Sequence, residues 1–356
     1  MCMKNDKNSG IPFDGGVCIG TGLVALDVVI SVHSGETPIT FFAGGSCGNV
    51  LTILSYLGWE SYPIARLAAD PASEILVEDL RRWKVNTELL SFTTDGSTPI
   101  IIHRILNDKS GNRKHKFEFR NPEDGKYLPS YKPFLAKSVP EVLTHSPKPS
   151  VFYFDRINRA SLDLAKQYKD LGATIVFEPS NMKDHNAFTK CLQVADIVKF
   201  SNERLPEFAN VFSVGQTILD IETLGSHGLR YRTKGAIRWI EVPAFEASGL
   251  ADAAGSGDWC TAGLIFKLLS LGSSLEKATA YDLNQALLFG QALSALNCNF
   301  EGARGAMYNM TADELMNTAN WILAKGQANI RLVPAHVKVK QPSFSSFTIS
   351  SLYSEA

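Results

Sequence analysis

The residues of this chain best suited to chemistry lie at 252–258, in the order DAAGSGD. Gly255, Ser256 and Gly257 precede an apolar helical pattern, so their backbone N–H groups are expected at the positive end of a helix dipole, where phosphate binds. Asp258 follows in the first turn, where a carboxylate can accept the proton of a hydroxyl that attacks phosphorus. The spacing predicts phosphoryl transfer to an alcohol. Taken alone, the loop is slightly more typical of a simple turn whose aspartate stabilises the dipole, so other parts of the chain must decide.

Composition limits the classes of function that need consideration. The chain has 356 residues, of which 45% are hydrophobic and 20% charged, and its formal net charge is −1. This near-neutral balance argues against a nucleic-acid partner, which usually requires a basic face. The sequence has neither an apolar run of about 20 residues nor an N-terminal signal peptide, so we expect a cytoplasmic protein with no membrane partner.

The six cysteines are scattered without any CxxC spacing. Several lie in apolar contexts, which favours reduced thiols in a core over disulfides or a zinc site. The sequence also contains no cluster of histidine, cysteine and aspartate with metal-ligand spacing. We therefore predict no metal site built by the protein alone.

The pattern of secondary structure indicates what must position the glycine-rich loop. A second glycine-rich segment, at 44–49, opens a helix with an apolar face. Strands and helices alternate over 151–224, and the chain is mainly helical over 254–325. Such alternation predicts an α/β fold whose central sheet is mainly parallel and covered by helices on both faces.

Two strand-rich stretches do not fit that core. They span about 27–43 and 98–121, and we assign them to a small separate lid. The predicted domain therefore covers 16–340 and includes both core and lid. The last residues, 341–356, form a serine-rich tail with too little periodicity to assign.

Two motifs together resemble the ribokinase/PfkB family of carbohydrate kinases. They are AGGSCGN at 43–49 and DAAGSGD at 252–258, and the resemblance extends from about Val17 to Val333. It implies a ribokinase-like three-layer α/β/α core with a β-strand lid, and an ATP-dependent phosphotransferase that uses ATP and Mg²⁺. In this family pattern Asp258 is the general base, and the N–H groups of 255–257 form an anion hole.

The resemblance also implies a substrate site for a sugar-like small molecule. Asp27 would accept hydrogen bonds from sugar hydroxyls, although a turn aspartate at a strand end is an equally good interpretation of this residue alone. Gly44 and Gly45 would let the backbone approach the sugar. Asn49 could simply cap a helix, but the two preceding glycines favour a role in binding hydroxyl groups.

Other residues resemble the family's nucleotide site. Thr223, Gly225 and Gly228 resemble its TxGxxG segment. Gly302, followed by Ala303, lies in a further short segment that supports the family resemblance. Asn202 resembles the asparagine of the NxxE motif near the phosphates and magnesium. Magnesium is expected chiefly as the ATP complex, held through phosphates and water.

One departure keeps a different class of function open. Leu205 occupies the position where the NxxE motif has glutamate, which is compatible with a catalytically silent ligand sensor on a kinase scaffold. Against this, Asp258 and the anion-hole glycines are intact. A nucleoside kinase of the same family remains the alternative within the same chemistry.

The second lid stretch concentrates basic residues. His103, Arg104 and Arg120 lie within its strands and could hold an anionic substrate group, although a solvated hairpin is an equally good interpretation. Arg104 is the residue that we assign to the substrate site on this basis. Apolar side chains on the lid strands further suggest a homodimer through the lid.

Overall fold

A computed structural model describes residues 15–31, 39–107, 113–204, 217–247, 249–270, 275–326 and 348–353. The strands are β1 (Val17–Thr21), β2 (Ala25–Ser31), β3 (Ile39–Gly44), β4 (Glu60–Leu67), β5 (Leu90–Phe92), β6 (Ile100–Asn107), β7 (Arg113–Glu118), β8 (Val151–Phe154), β9 (Thr174–Phe177), β10 (Ile197–Ser201), β11 (Leu219–Thr223), β12 (Leu229–Thr233) and β13 (Ile240–Val242). The helices are α1 (Ser46–Tyr56), α2 (Pro71–Arg82), α3 (Val139–His145), α4 (Arg159–Asp170), α5 (His185–Val194), α6 (Ser256–Ser270), α7 (Ala280–Asn297), α8 (Gly305–Asn309) and α9 (Ala312–Lys325).

Nine strands form the main sheet, in the order β13-β12-β11-β10-β9-β8-β1-β4-β5. All pairings from β11 across to β5 are parallel, and only the β11–β12 and β12–β13 pairings, at one end, are antiparallel. The carboxyl ends of the seven parallel strands therefore meet at one edge of the sheet, which is where open α/β sheets place their sites. The predicted mainly parallel sheet is confirmed.

Strand residues alternate between two apolar clusters, one on each face of the main sheet. Cys18 and Tyr153 point into the cluster that contains the buried faces of α1, α2, α6, α7 and α9. Their neighbours Ile19 and Phe152 point into the other, which is covered by α3, α4 and α5. Because side chains alternate along a strand, this pattern produces the three-layer α/β/α core that the sequence predicts.

The second sheet has four strands, in the order β3-β2-β6-β7, with β2 and β6 parallel and the other pairs antiparallel. It leaves the core through 22–24, directly after the carboxyl end of β1. Leu26 and Val28 of β2 are fully buried in the core cluster, whereas Asp27 between them faces the opposite side. Because side chains alternate along β2, Leu26 and Val28 anchor the small sheet in the apolar core, and the buried Asp27 carboxylate points away from that core.

Part of the predicted serine-rich tail packs on the domain. A 3₁₀ turn at Ile349–Leu352 buries its first and last side chains in the main core cluster. The backbone N–H of Ile349 donates to Glu123 Oε1 at 2.9 Å. The remaining tail positions, 341–347 and 354–356, lie outside the described residues. Within the described part of the chain, no helix is both long and apolar enough to cross a membrane.

Candidate active site

The glycine-rich loop turns sharply into α6. Gly255 has a φ of +72°, and a Cβ built on it would lie 2.1 Å from the carbonyl oxygen of Ala303. Only glycine combines this left-handed backbone with such a close approach. The turn allows Ser256 to begin α6 directly, and the Ser256 N–H contacts the carbonyl of Ala253 at 3.3 Å. The first-turn N–H groups of a 15-residue helix are thereby presented at the carboxyl edge of the sheet.

Two buried side chains hold this loop in place. Asp252 accepts hydrogen bonds from the N–H of Ala254 at 2.9 Å and of Gly302 at 3.0 Å. Asn297, which is fully buried, donates through Nδ2 to the carbonyls of Ala254 and Ala303, both at 3.2 Å. Sequence analysis missed Asn297. Its position as the last residue of an apolar helix, where an amide needs partners, was the available indication.

Asp258 lies in the first turn of α6, and its side chain reaches the first turn of α1. Asn49 Nδ2 donates to Asp258 Oδ2 at 2.8 Å, and both residues are buried. Burial raises the pKa of Asp258 to about 7, and the nearby Glu178 carboxylate adds to that rise, while the Asn49 hydrogen bond and the Lys199 charge oppose it. A carboxyl that titrates near neutrality is suited to general base catalysis.

The predicted sugar-binding residues come together beside Asp258. Asn49 is in the first turn of α1, which follows Gly45 in a left-handed conformation with φ +76°. Gly44 on β3 leaves room for a carboxylate, since a Cβ built there would lie 2.0 Å from Asp27 Oδ2. Asn49 Oδ1 is buried and has no hydrogen-bond partner within the described ranges, and Asp27 Oδ1 is buried with His103 Nε2 at the long distance of 3.5 Å. Buried acceptors of this kind are normally satisfied, so both are suited to accept ligand hydroxyls.

His103 on β6 faces Asp27. Its Nε2 lies 3.5 Å from Asp27 Oδ1, and both side chains are almost fully buried. Burial disfavours the charged imidazole, but the neighbouring Asp27 carboxylate outweighs this and raises the pKa of His103. His103 therefore lies beside the predicted sugar-binding residues as a partner of Asp27.

The adjacent residue, Arg104, points elsewhere. Its Nε donates to Glu118 Oε2 at 2.6 Å, on the opposite face of β6 from His103. Arg120 donates to the carbonyl of Gly125 at 2.9 Å. The structure thus does not bring Arg104 to Asp27 and Asn49, because strand alternation directs only one of two successive side chains to the site.

A cleft lies between the small sheet and the segment before α8. Its lining includes Asp27, Phe42, Asn49, Glu301 and Arg304. Arg304 Nη2 donates to Asp79 Oδ2 at 2.7 Å, and the pair is buried. Sequence analysis missed Arg304, because its approach to Asp79 depends on packing between residues 225 positions apart.

The predicted nucleotide residues meet at the carboxyl ends of β10 and β11. The N–H of Asn202 donates to the carbonyl of Thr223 at 3.2 Å. Gly225 and Gly228 have φ values of +59° and +100°, and a Cβ on Gly228 would lie 2.3 Å from the carbonyl oxygen of Val242. Gly302, by contrast, lines the cleft beside Asp27. Leu205, whose departure from the motif weakened the metal assignment, lies outside the described residues.

Comparison with known proteins decides the family. The model of the pfkB family carbohydrate kinases matches residues 22–309 of the chain. The chain belongs to the pfkB family of carbohydrate kinases. It is similar to the probable fructokinase-6, chloroplastic, of Arabidopsis thaliana, with 26% identity over 74% of this chain and 71% of that protein.

Solved structures share the pfkB fold. The fructokinase with bound ATP from Xylella fastidiosa superimposes with a TM-score of 0.65 at 18% identity, covering 87% of this chain and 99% of that one. The Burkholderia thailandensis nucleoside kinase in complex with inosine superimposes with a TM-score of 0.64 at 16% identity, covering 87% of this chain and 98% of that one. The family resemblance and the ribokinase-like fold predicted from the sequence are confirmed.

This pfkB-family kinase shows no group of three or more metal-ligating side chains within the described ranges. Asn202 Oδ1, just after β10, is buried and has no hydrogen-bond partner among the described residues. An isolated amide oxygen is suited to accept a hydrogen bond from water in the shell of a phosphate-bound Mg²⁺. It does not constitute a metal site by itself.

Proposed function

We propose that this carbohydrate kinase transfers the γ-phosphate of MgATP to a hydroxyl of a neutral sugar. Asp258 acts as the general base, and the N–H groups of 255–257 form the anion hole. One observation carries the proposal: the Asp258 carboxylate, in the first turn of α6, is hydrogen-bonded to Asn49 on the substrate side. The base thus lies between the loop suited to phosphate and the residues suited to sugar hydroxyls.

In the proposed step, the substrate hydroxyl oxygen attacks the γ-phosphorus, and its proton passes to the Asp258 carboxylate. The new oxygen–phosphorus bond forms as the bond between the γ-phosphorus and the β,γ-bridging oxygen breaks, and ADP leaves with that electron pair. Charge on the transferring group is stabilised by the N–H groups at the start of α6, aided by the dipole of that helix.

Magnesium, when bound to ATP, neutralises phosphate charge during transfer. Since no described residues form a metal cage, we expect the ion to be held through phosphates and water, with Asn202 Oδ1 as one acceptor for such a water. The protein then contributes mainly orientation and fixed hydrogen-bond donors.

The charges in the cleft support a neutral acceptor. Asp27 and Glu301 bring two carboxylates to the lining, and Arg304 brings one guanidinium, which is paired with Asp79. A substrate phosphate or carboxylate would gain little there, because the cation is already neutralised.

The proposal is tested by measuring ADP release from MgATP with neutral hexoses and pentoses, sugar acids, sugar phosphates and nucleosides. We expect a neutral sugar to stimulate ADP release most strongly. Preferential stimulation by nucleosides would replace this proposal with the nucleoside kinase. A sugar that raises thermal stability without stimulating ADP release would instead indicate a silent sensor.

A further inference from the structure

A buried ion pair lies directly behind the glycine-rich loop. Lys199 on β10 donates through Nζ to Glu178 Oε1 at 2.5 Å, and the two side chains are 2% and 15% exposed. Glu178 immediately follows β9, so both residues are near the carboxyl edge that carries the active site. Isolated buried charges are costly, which is why the two need one another here.

The second oxygen of Glu178 holds α6. Thr261 Oγ1 donates to Glu178 Oε2 at 2.8 Å, and the hydroxyl of Tyr153 on β8 contacts the same oxygen at 3.3 Å. Thr261 also contacts the carbonyl of Gly257 at 3.1 Å. With three donors, Glu178 joins strands β8 and β10 to the first turns of α6, from which Asp258 projects.

The pair is adjacent to the proposed anion hole. A Cβ built on Gly257 would lie 3.6 Å from Lys199 Nζ and 4.0 Å from Glu178 Oε1. Both charges reach Asp258, with opposite effects: Glu178 raises the pKa of Asp258, and Lys199 lowers it. Removal of either charge alone should therefore shift the pKa of Asp258. When both charges are removed, the two opposite shifts should largely cancel.

We propose that Lys199 and Glu178 are positioning residues for phosphoryl transfer, which fix the first turns of α6 and keep the charge behind Asp258 balanced. This inference rests on the proposed function of Asp258. It explains why an ion pair, instead of two apolar side chains, fills this part of the core.

Other titratable groups face Asp258 from neighbouring elements. Cys47 on α1 and Tyr153 on β8 have pKa values raised well above their ordinary range by burial, so both are neutral near pH 7. Asp155, after β8, acts on those two groups and is paired with Arg156. Arg204, which follows β10, is exposed, and its positive charge lowers the pKa of Asp258. Among the charged groups that shift the pKa of Asp258 within the described residues, Lys199 is buried, Glu178 is mostly buried and Arg204 is exposed.

The test is the pH dependence of kcat/KM in Lys199→Met, Glu178→Gln and the double variant. The acid limb is the rise of kcat/KM with pH as Asp258 loses its proton. Glu178→Gln should move this limb to lower pH by roughly one unit, and Lys199→Met should move it to higher pH by a similar amount. The double variant should return close to the wild-type limb. Lys169→Met is the control, because Lys169 forms a 2.9 Å ion pair with Asp196 that is partly exposed and is not among the charges acting on Asp258, and it should leave the limb unchanged.

An acid limb that stays at the wild-type pH in both single variants would overturn the inference, even if their stability fell. Should Lys199→Met fail to fold, comparison of Glu178→Gln with the double variant isolates the Lys199 charge and keeps the test decisive. Failure of the proposed function would give a different result. The wild-type enzyme would then show no acid limb, or the Asp258→Asn variant would retain activity.

Discussion

Asn49 and Asp258 are 209 positions apart in the chain, yet a 2.8 Å hydrogen bond joins their side chains. Each lies in the first turn of a helix that follows a glycine-rich segment, α1 for Asn49 and α6 for Asp258. The bond therefore fixes the distance between the residues that would bind the sugar and the residue that would remove its proton. Correct spacing of this kind contributes strongly to rate, because reacting groups must be held within contact distance.

Asn49→Ala should impair both the base and substrate binding. The Asn49 hydrogen bond lowers the pKa of Asp258 from the value that burial would otherwise produce, so its loss should move the acid limb of kcat/KM above the wild-type limb near pH 7. Loss of a hydrogen bond to a charged group costs roughly 1.5–3 kcal/mol, or about a 10- to 150-fold fall in kcat/KM. A pH profile from about pH 5 to 9 measures both effects, and an unchanged limb would contradict this role.

Gly255→Ala should reduce kcat by roughly 100-fold or more, because its Cβ would collide with the carbonyl of Ala303 and shift the anion hole. Gly235→Ala is the matched control. Gly235 has a similar φ of +78°, but a Cβ there meets nothing within 4 Å, so only the backbone strain of about 1 kcal/mol applies. Steady-state kinetics of the two variants separate strain from collision. Equal losses of kcat would contradict a specific role for the loop.

Asp27→Asn should raise the KM for the sugar by roughly 10- to 100-fold, because the buried carboxylate is replaced by a weaker acceptor. The KM for ATP should be unaffected.

Arg104→Ala should change the sugar KM less than about twofold, because Arg104 forms a partly exposed ion pair with Glu118. A selective rise in the KM for a sugar acid or sugar phosphate in Arg104→Ala would restore the anionic-substrate hypothesis.

Asp258→Asn should stabilise the folded protein at alkaline pH. The pKa of Asp258 is raised from 3.8 to about 7 on folding, so the folded state binds more protons than the unfolded state between these values, and its stability falls as pH rises through them. The amide cannot ionise, so the variant should exceed wild type by roughly 1–4 kcal/mol at about pH 8 and by little at about pH 4. Denaturant unfolding at both pH values measures this, and a variant less stable at the higher pH would refute it.

Much of the fold was predictable because its determinants are local. The alternation of strands and helices over 151–224 and the two glycine-rich helix starts identify a parallel α/β sheet without knowledge of tertiary contacts. The motif order was equally informative for the family. Asp258, Gly255 and Asn49 could be selected for the same reason, since each is defined by its place beside a helix start.

The remaining site residues depend on contacts that no local pattern encodes. Arg304 meets Asp79 across 225 positions, and Lys199 appears in the sequence only as a charge within an otherwise apolar strand. His103 and Arg104 were equivalent candidates from the sequence. The register between β2 and β6, which pairs Val29 with His103, decides which of them faces Asp27, and register is a property of the assembled sheet.

The most direct test of the central claim is the rate of sugar-dependent ADP formation by wild type and Asp258→Asn at saturating MgATP and sugar. Asp313→Asn serves as the control, because it makes the same change in the first turn of α9 at an exposed position. We predict that Asp258→Asn lowers kcat by about 100-fold or more, as loss of a general base does, while the sugar still binds in calorimetry and Asp313→Asn matches wild type. An Asp258→Asn enzyme that turns over within about threefold of wild type would contradict the assignment of Asp258 as the base.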